Sequence, residues 1–137
     1  MIELTNSTAQ VLAAGQSATF DIEILHTGCA ECHRPNTGSI GLNQRNAVYE
    51  ASFNCNIGGV AAGDAQIALS LNGAPLNETT AKVVTAAAGD LQNVCAKTFI
   101  PTCCCGNNTI LLTNTGTTDI NLDAYPRLSV ERITKCS

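Results

Sequence analysis

Apolar and polar positions alternate along this chain with a period of two. Tyr49, Ala51, Phe53, Cys55 and Ile57 alternate with Val48, Glu50, Ser52, Asn54 and Asn56, the signature of a strand with one buried face. Ile67, Leu69 and Leu71 alternate with Ala68 and Ser70, and Asn72-Gly73 follows as a tight hairpin turn. Ala18 to Leu25 sets Phe20, Ile22 and Ile24 against Asp21 and Glu23. Further strands are predicted at Thr37 to Leu42, Thr109 to Asn114, Ile120 to Ala124 and Leu128 to Ile133. The one stretch with a weak helical pattern, Thr79 to Gln92, is rich in Thr and Val and contains Gly89-Asp90, which favours strand plus turn. About eight strands with turn signals every 8–15 residues predict an antiparallel sandwich or jelly roll.

Length and composition narrow this further. A chain of 137 residues builds one domain, residues 1–137, with a core that needs no disulfide in order to fold. The net charge of -4 gives no basic footprint for nucleic acid and no polybasic patch for anionic lipid. Only 13% of residues are charged, about half the usual share, and Thr (16) and Asn (13) carry much of the polarity. So few charges fit a protein that covers part of its surface with other subunits. No apolar run reaches the roughly 20 residues of a membrane span. The first residues include Glu3 and no basic cluster, so no secretory signal is expected. Synthesis in a reducing cytosol follows, where grouped cysteines favour metal over structural disulfides. The three N-x-S/T sequons, at Asn6, Asn77 and Asn107, then read as chance.

Several segments in order resemble the compact jelly rolls of the TNF/C1q-like superfamily. They are Val11-Leu12-Ala13-Ala14-Gly15-Gln16-Ser17-Ala18-Thr19-Phe20, Val48-Tyr49-Glu50-Ala51-Ser52-Phe53, Leu69-Ser70-Leu71-Asn72-Gly73, Leu112-Thr113-Asn114-Thr115-Gly116-Thr117 and Leu128-Ser129-Val130. The nearest likeness is to BclA-type C-terminal domains and to small phage and prophage virion structural proteins. The resemblance implies an all-β antiparallel jelly-roll sandwich that forms a homotrimer and does binding or structural work, not catalysis. BclA-type domains sit on a collagen-like shaft, and no Gly-x-y repeat occurs here.

The eight cysteines stand outside that pattern. Cys29 and Cys32 lie in a knot with both histidines, His26 and His33, and Cys103, Cys104 and Cys105 are consecutive. A C-x-x-C turn lets two thiolates converge on one zinc ion. Cys103 and Cys105 are the natural completing pair, because alternate residues of an extended segment point the same way. His26 or His33 is an alternative ligand. Disulfides between the clusters or between subunits compete with metal, as do inert thiols. Cys55 sits on the apolar face of its strand and reads as core, and Cys95 reads the same way.

Sharper chemistries also match parts of the knot. Cys29-Ala30-Glu31-Cys32-His33 is literally the C-x-x-C-H haem-attachment motif, yet His26 and Met1 are the only other candidate axial ligands. A thioredoxin-like role needs a helix N-terminus after the C-x-x-C, and the context is strand and loop. A Cys–His nucleophile would want an orienting carboxylate, for which Glu31 is nearby. Asp21 with Glu23, and Asp119 with Asp123, read as solvated strand edges. Gly15 and Gly58-Gly59 read as turn glycines and form no phosphate loop.

The expected function is that of a non-enzymatic virion protein, made in the host cytoplasm. It would be a trimeric capsid decoration or cement protein, or a fibre-like one, bound to itself and to the major capsid protein or another virion lattice. A zinc clip would join its loops through Cys29, Cys32, Cys103 and Cys105. The alternative is a bacterial surface or spore-coat module crosslinked by disulfides.

Overall fold

The computed structural model describes residues 1–102 and 108–135. Its strands in chain order are β1 (Ile2–Thr5), β2 (Gln10–Leu12), β3 (Ile22–His26), β4 (Glu31–His33), β5 (Ile40–Leu42), β6 (Ala47–Gly59), β7 (Gly63–Leu71), β8 (Ala74–Pro75), β9 (Ala81–Thr85), β10 (Gln92–Pro101), β11 (Asn108–Thr113), β12 (Ile120–Leu122) and β13 (Arg127–Lys135). A single 3₁₀ turn at Asn77–Thr79 precedes β9, so the Thr79–Gln92 stretch forms turn and strand as its composition predicts. The strands beyond the eight expected are β1, β2, β4, β8 and β10, which the alternation of the sequence does not predict. β12 and β13 share the flank of β6 but are separated by a bend in which Tyr125 takes φ +62°.

All pairings are antiparallel, and they build two sheets. In the first, β6 is central: β10 lines one side, and β13 and β12 line the other. β1 then pairs β13, and β3 closes that edge. The second sheet runs β4-β5-β11-β7, with β8 and β9 pairing β7. Asn72 and Gly73 both take positive φ, +52° and +86°, as the two central residues of a type I′ hairpin turn do.

The core lies between the sheets. Ile2, Leu4, Tyr49, Ala51, Phe53, Ile57, Leu128 and Val130 face it from the first sheet, and Ile40, Leu42, Ile67, Leu69, Ile110 and Leu112 from the second. Full burial of each large aliphatic side chain contributes about 1.5–3 kcal/mol. β6 shows the predicted alternation over most of its length.

Two expectations need correction. Phe20 is buried as expected, but Ile22 and Ile24 are not: they are 39% and 44% exposed, and Leu25 is 40% exposed. β3 is the edge strand of its sheet and all five of its residues are exposed. A bulge also breaks the two-residue period: Glu3 pairs with Leu25 and Leu4 with Glu23, so Ile24 has no opposite residue. Gly58 and Gly59 end strand β6 and do not form a turn. A Cβ on Gly58 would stand 1.8 Å from the Asp90 carbonyl oxygen, so close backbone approach requires the glycine there.

Candidate functional site at the cysteine and histidine knot

The knot is a short turn entering β4, anchored from below by the core. Gly28 turns the chain at φ +76°, a conformation that costs glycine little. The carbonyl of Ala30 then accepts two hydrogen bonds, from the Tyr49 hydroxyl at 2.7 Å and from the Asn43 N–H at 2.8 Å. Burial raises the Tyr49 phenol above its usual 10.0, because the anion would lose its hydration. Tyr49 therefore serves this turn as a neutral donor.

Glu31 points inward and is only 1% exposed. Its carboxylate accepts the backbone N–H of Arg132 on β13 at 2.9 Å and pairs with the Met1 amino group at 2.9 Å. A buried carboxylate is tolerated only when its oxygens are partnered in this way. The carboxylate nearest the Cys–His knot in sequence thus ties β4 to β1 and β13.

The histidines are held just as firmly. His26 places Nε2 3.0 Å from the Glu31 carbonyl oxygen and Nδ1 3.2 Å from the Glu23 carboxylate. His33 places Nδ1 3.0 Å from the Ser39 carbonyl oxygen and Nε2 3.4 Å from that of Phe20. All four ring nitrogens therefore lie within hydrogen-bond distance of protein oxygens.

The sequence places Cys29 and Cys32 on a loop, whereas Cys32 belongs to β4. Both thiols are exposed and free. Asn43 connects them: it donates Nδ2 to the Cys29 carbonyl at 3.3 Å and accepts the Cys32 thiol on Oδ1 at 3.4 Å. Cys32 lies across β5, where a Cβ on Gly41 would come within 2.6 Å of its sulfur. Gly41 is thus the space the thiol occupies.

Cys103, Cys104, Cys105 and Cys136 lie outside the described residues. The residues flanking 103–107 are firmly placed beside the 42–47 segment that carries Asn43. Thr102 donates its hydroxyl to the Gln44 carbonyl at 2.7 Å and its N–H to Ala47 at 2.8 Å. Asn108 pairs with Leu42 on β5, and Asn72 holds Thr109 N–H on Oδ1 at 2.8 Å. Among the described residues no three His, Cys, Asp or Glu side chains are grouped to hold a metal ion.

Cys55 and Cys95 part company. Cys55 is buried as expected, and burial pushes its thiol up to about 12. Cys95 is exposed, because Val94 is the residue opposite Cys55 and takes the inward position. Cys95 instead borders a groove of about 420 Å³ on the outer face of the first sheet, together with Ser52, Asn54, Lys97 and Ser129. An Arg127–Glu3 ion pair of 3.2 Å forms another part of its wall.

The fold is an all-β antiparallel jelly roll, similar to that of a C1q globular domain. The globular domain of zebrafish complement 1qA protein superimposes with a TM-score of 0.64, covering 98% of this chain and 97% of that one at 10% identity. The PRD1 vertex protein aligns more loosely, with a TM-score of 0.46, 12% identity and coverage of 99% and 96%. A family 35 carbohydrate binding module from Clostridium thermocellum gives 0.45, 14% identity and coverage of 92% and 96%. No protein-family model matches the chain, and neither does any curated protein sequence.

Proposed function

We propose that this protein is a non-enzymatic structural module, a homotrimeric jelly roll that decorates or cements a phage or prophage capsid lattice. The observation that carries this reading is the contrast between a fully packed sandwich and its apolar rim. Ile22, Ile24 and Leu25 stand exposed on one edge of the first sheet and Phe99 on the other, and exposed apolar edges are ordinarily covered by a partner. The knot supports a structural role too. Its histidines and Glu31 are engaged in hydrogen bonds that fix the turn, and a surface carrying few charges suits a subunit packed into a lattice.

Cys29 and Cys32, with Cys103 and Cys105, form the proposed zinc clip. Its support is that the anchors on both sides of 103–107, Thr102 and Asn108, lie along the segment that carries Asn43, which accepts the Cys32 thiol and donates to the Cys29 carbonyl. Because the core forms without it, the clip hardens the fold and does not create it. A second reading, a bacterial surface or spore-coat module joined by disulfides, is favoured by the exposed, unpaired thiols of Cys29, Cys32 and Cys95.

Mass spectrometry of purified virions from a lysogen carrying the gene tests the location: the chain is expected in the particle, and its absence there overturns the virion reading. Native mass spectrometry with and without a chelator tests the clip. A trimer that loses one zinc per subunit on chelation is expected; a metal-free trimer that dissociates with reductant favours the disulfide reading instead.

A further inference from the structure

One end of the sandwich sets carboxylates beside exposed apolar side chains. It is built from the turn after β6, the 86–91 loop before β10 and the 114–119 loop before β12. The pairing draws these together: Gly59 pairs with Ile120, Ile57 pairs with Gln92, and the Val60 N–H donates to the Asp119 carbonyl. β6 begins at the other end, where Ala47 accepts the Thr102 N–H near the cysteine knot, and its 13 residues span about 40 Å. Val11, Val60, Val84 and Leu91 are 41% to 64% exposed at the far end. Residues 57–92 contain one basic residue, Lys82, and residues 2–25 and 108–126 contain none. Lys82 pairs with Asp64 at 3.1 Å. Among the described residues no ion pair holds Asp90, Asp119 or Asp123.

Two clefts border β12 there. One, of about 360 Å³, is walled by Val60 with Asp64 and Asp119. The other, of about 240 Å³, is walled by Val11 and Leu91 with Asp123. Each joins an apolar surface to a carboxylate. That combination fits a lysine or arginine side chain, whose aliphatic stem packs on apolar surface while its charged head meets the acid. Asp119 precedes β12 and Asp123 follows it, a separation of about 13 Å along an extended chain.

We propose that this end of the protein docks a basic polypeptide segment in extended form. One lysine or arginine side chain packs on Val60 and meets Asp119; a second, four residues along, packs on Leu91 and meets Asp123. Residues four apart in an extended segment lie on the same face at about the spacing of the two aspartates. The deduction rests neither on the trimer nor on the zinc clip proposed above. The carboxylates stand in separate clefts, and among the described residues no three acidic, His or Cys side chains are grouped to hold a metal ion, so separate organic cations fit better than one ion. The same charges repel nucleic acid and anionic lipid.

A heptapeptide of glycine and serine with arginine at its second and sixth positions tests the site on the whole chain. It is titrated by heteronuclear NMR at low salt, beside the same peptide with neutral citrulline at both positions. Wild type is expected to bind the arginine peptide with a Kd of about 1 mM or tighter, with shifted amide signals at Val60, Leu91, Asp119 and Asp123. The citrulline peptide is expected to bind about tenfold more weakly. Asp119→Asn with Asp123→Asn should weaken arginine-peptide binding about tenfold, and Val60→Ser with Leu91→Ser about threefold. Glu50→Gln with Glu131→Gln removes the same charge from two residues opposed across β6 and β13, and should change binding less than about twofold. Circular dichroism melts establish that each variant folds; where one does not, the wild-type shift map and the citrulline comparison decide alone. Equal losses in the two charge-removal pairs, or shifts spread away from this end, overturn the proposal in favour of general charge attraction. Equal binding of the two peptides overturns it, as does the absence of binding. Light scattering supplies the remaining outcome: an assembly that dissociates in the Asp119→Asn, Asp123→Asn protein shows that a second copy covers this end, which also overturns the proposal.

Discussion

The Tyr49 hydroxyl donates a buried 2.7 Å hydrogen bond to the carbonyl of Ala30, the residue after Cys29. One core side chain on β6 thereby sets the height of the cysteine turn above the sandwich. The same hydroxyl accepts the Gln44 N–H at 3.2 Å, so it positions both the turn and the segment carrying Asn43. The knot is shaped by the core beneath it more than by its own sequence.

Tyr49→Phe removes that hydroxyl with little change in volume. The Gln44 N–H loses its acceptor and the Ala30 carbonyl keeps only Asn43. The expected loss is about 0.5–1.5 kcal/mol, measured by urea unfolding with an unchanged m-value. Labelling of Cys29 by a thiol reagent in the folded protein should accelerate, since its turn is no longer tethered. An unchanged labelling rate would show that Asn43 alone sets the turn.

Glu31→Ala deletes the acceptor for the Arg132 N–H and the partner of the Met1 amino group. A buried donor left without an acceptor costs about 1–3 kcal/mol. Glu31→Gln keeps an oxygen for Arg132 and should lose less. Thermal melts of the two variants separate hydrogen bonding from charge: equal losses would mean that the ionic part dominates.

How far the sequence carried the fold is clear from β6 and β3. β6 is legible because a strand buried on one face repeats every two residues over most of its thirteen positions. β3 shows the same alternation on paper and breaks it in space, since a bulge depends on what β1 offers opposite. The Cys55 and Cys95 positions differ for a related reason. Both sit among apolar neighbours, but only the β6–β10 register decides that Val94 and not Cys95 faces inward. At the knot, residue types and spacing pointed to Cys29, Cys32, His26 and His33. Asn43 and Tyr49 were invisible there because their contacts join distant parts of the chain. Glu31 was visible only as a neighbour of the cysteines, and its burial depends on β13.

Alkaline pH should destabilise the fold through Cys55. Its folded thiol is raised from 9.0 to about 12 by burial, so the unfolded chain loses its proton first. The stabilisation is complete below about pH 9 and is lost as pH rises toward about 12. Tyr49, also raised by burial, adds a loss of the same sign above pH 10. Urea midpoints measured from pH 8 to 11 should therefore fall, and Cys55→Val should flatten the part of the slope that begins near 9. A Cys55→Val protein with the wild-type slope would assign the whole effect to Tyr49 and other groups.

Gly41→Ala should act on a thiol nine residues away in sequence. The new methyl would stand 2.6 Å from the Cys32 sulfur, and no atom of β5 can retreat without disturbing its pairing with β4 and β11. The sulfur is the end of a short side chain, so it rotates instead and leaves the Asn43 oxygen. Two results follow. Stability drops by about 1 kcal/mol from overpacking, and Cys32 in the folded protein reacts faster with a thiol reagent. Cys32→Ala removes the colliding atom, so the double variant should be less destabilised than the sum of the two single changes, with a coupling of about 0.5 kcal/mol or more. Strictly additive losses would place the strain of Gly41→Ala in the backbone of β5 and not at the cysteine. If the cysteine is a zinc ligand, Gly41→Ala should also lower zinc occupancy in native mass spectra while leaving the secondary structure intact.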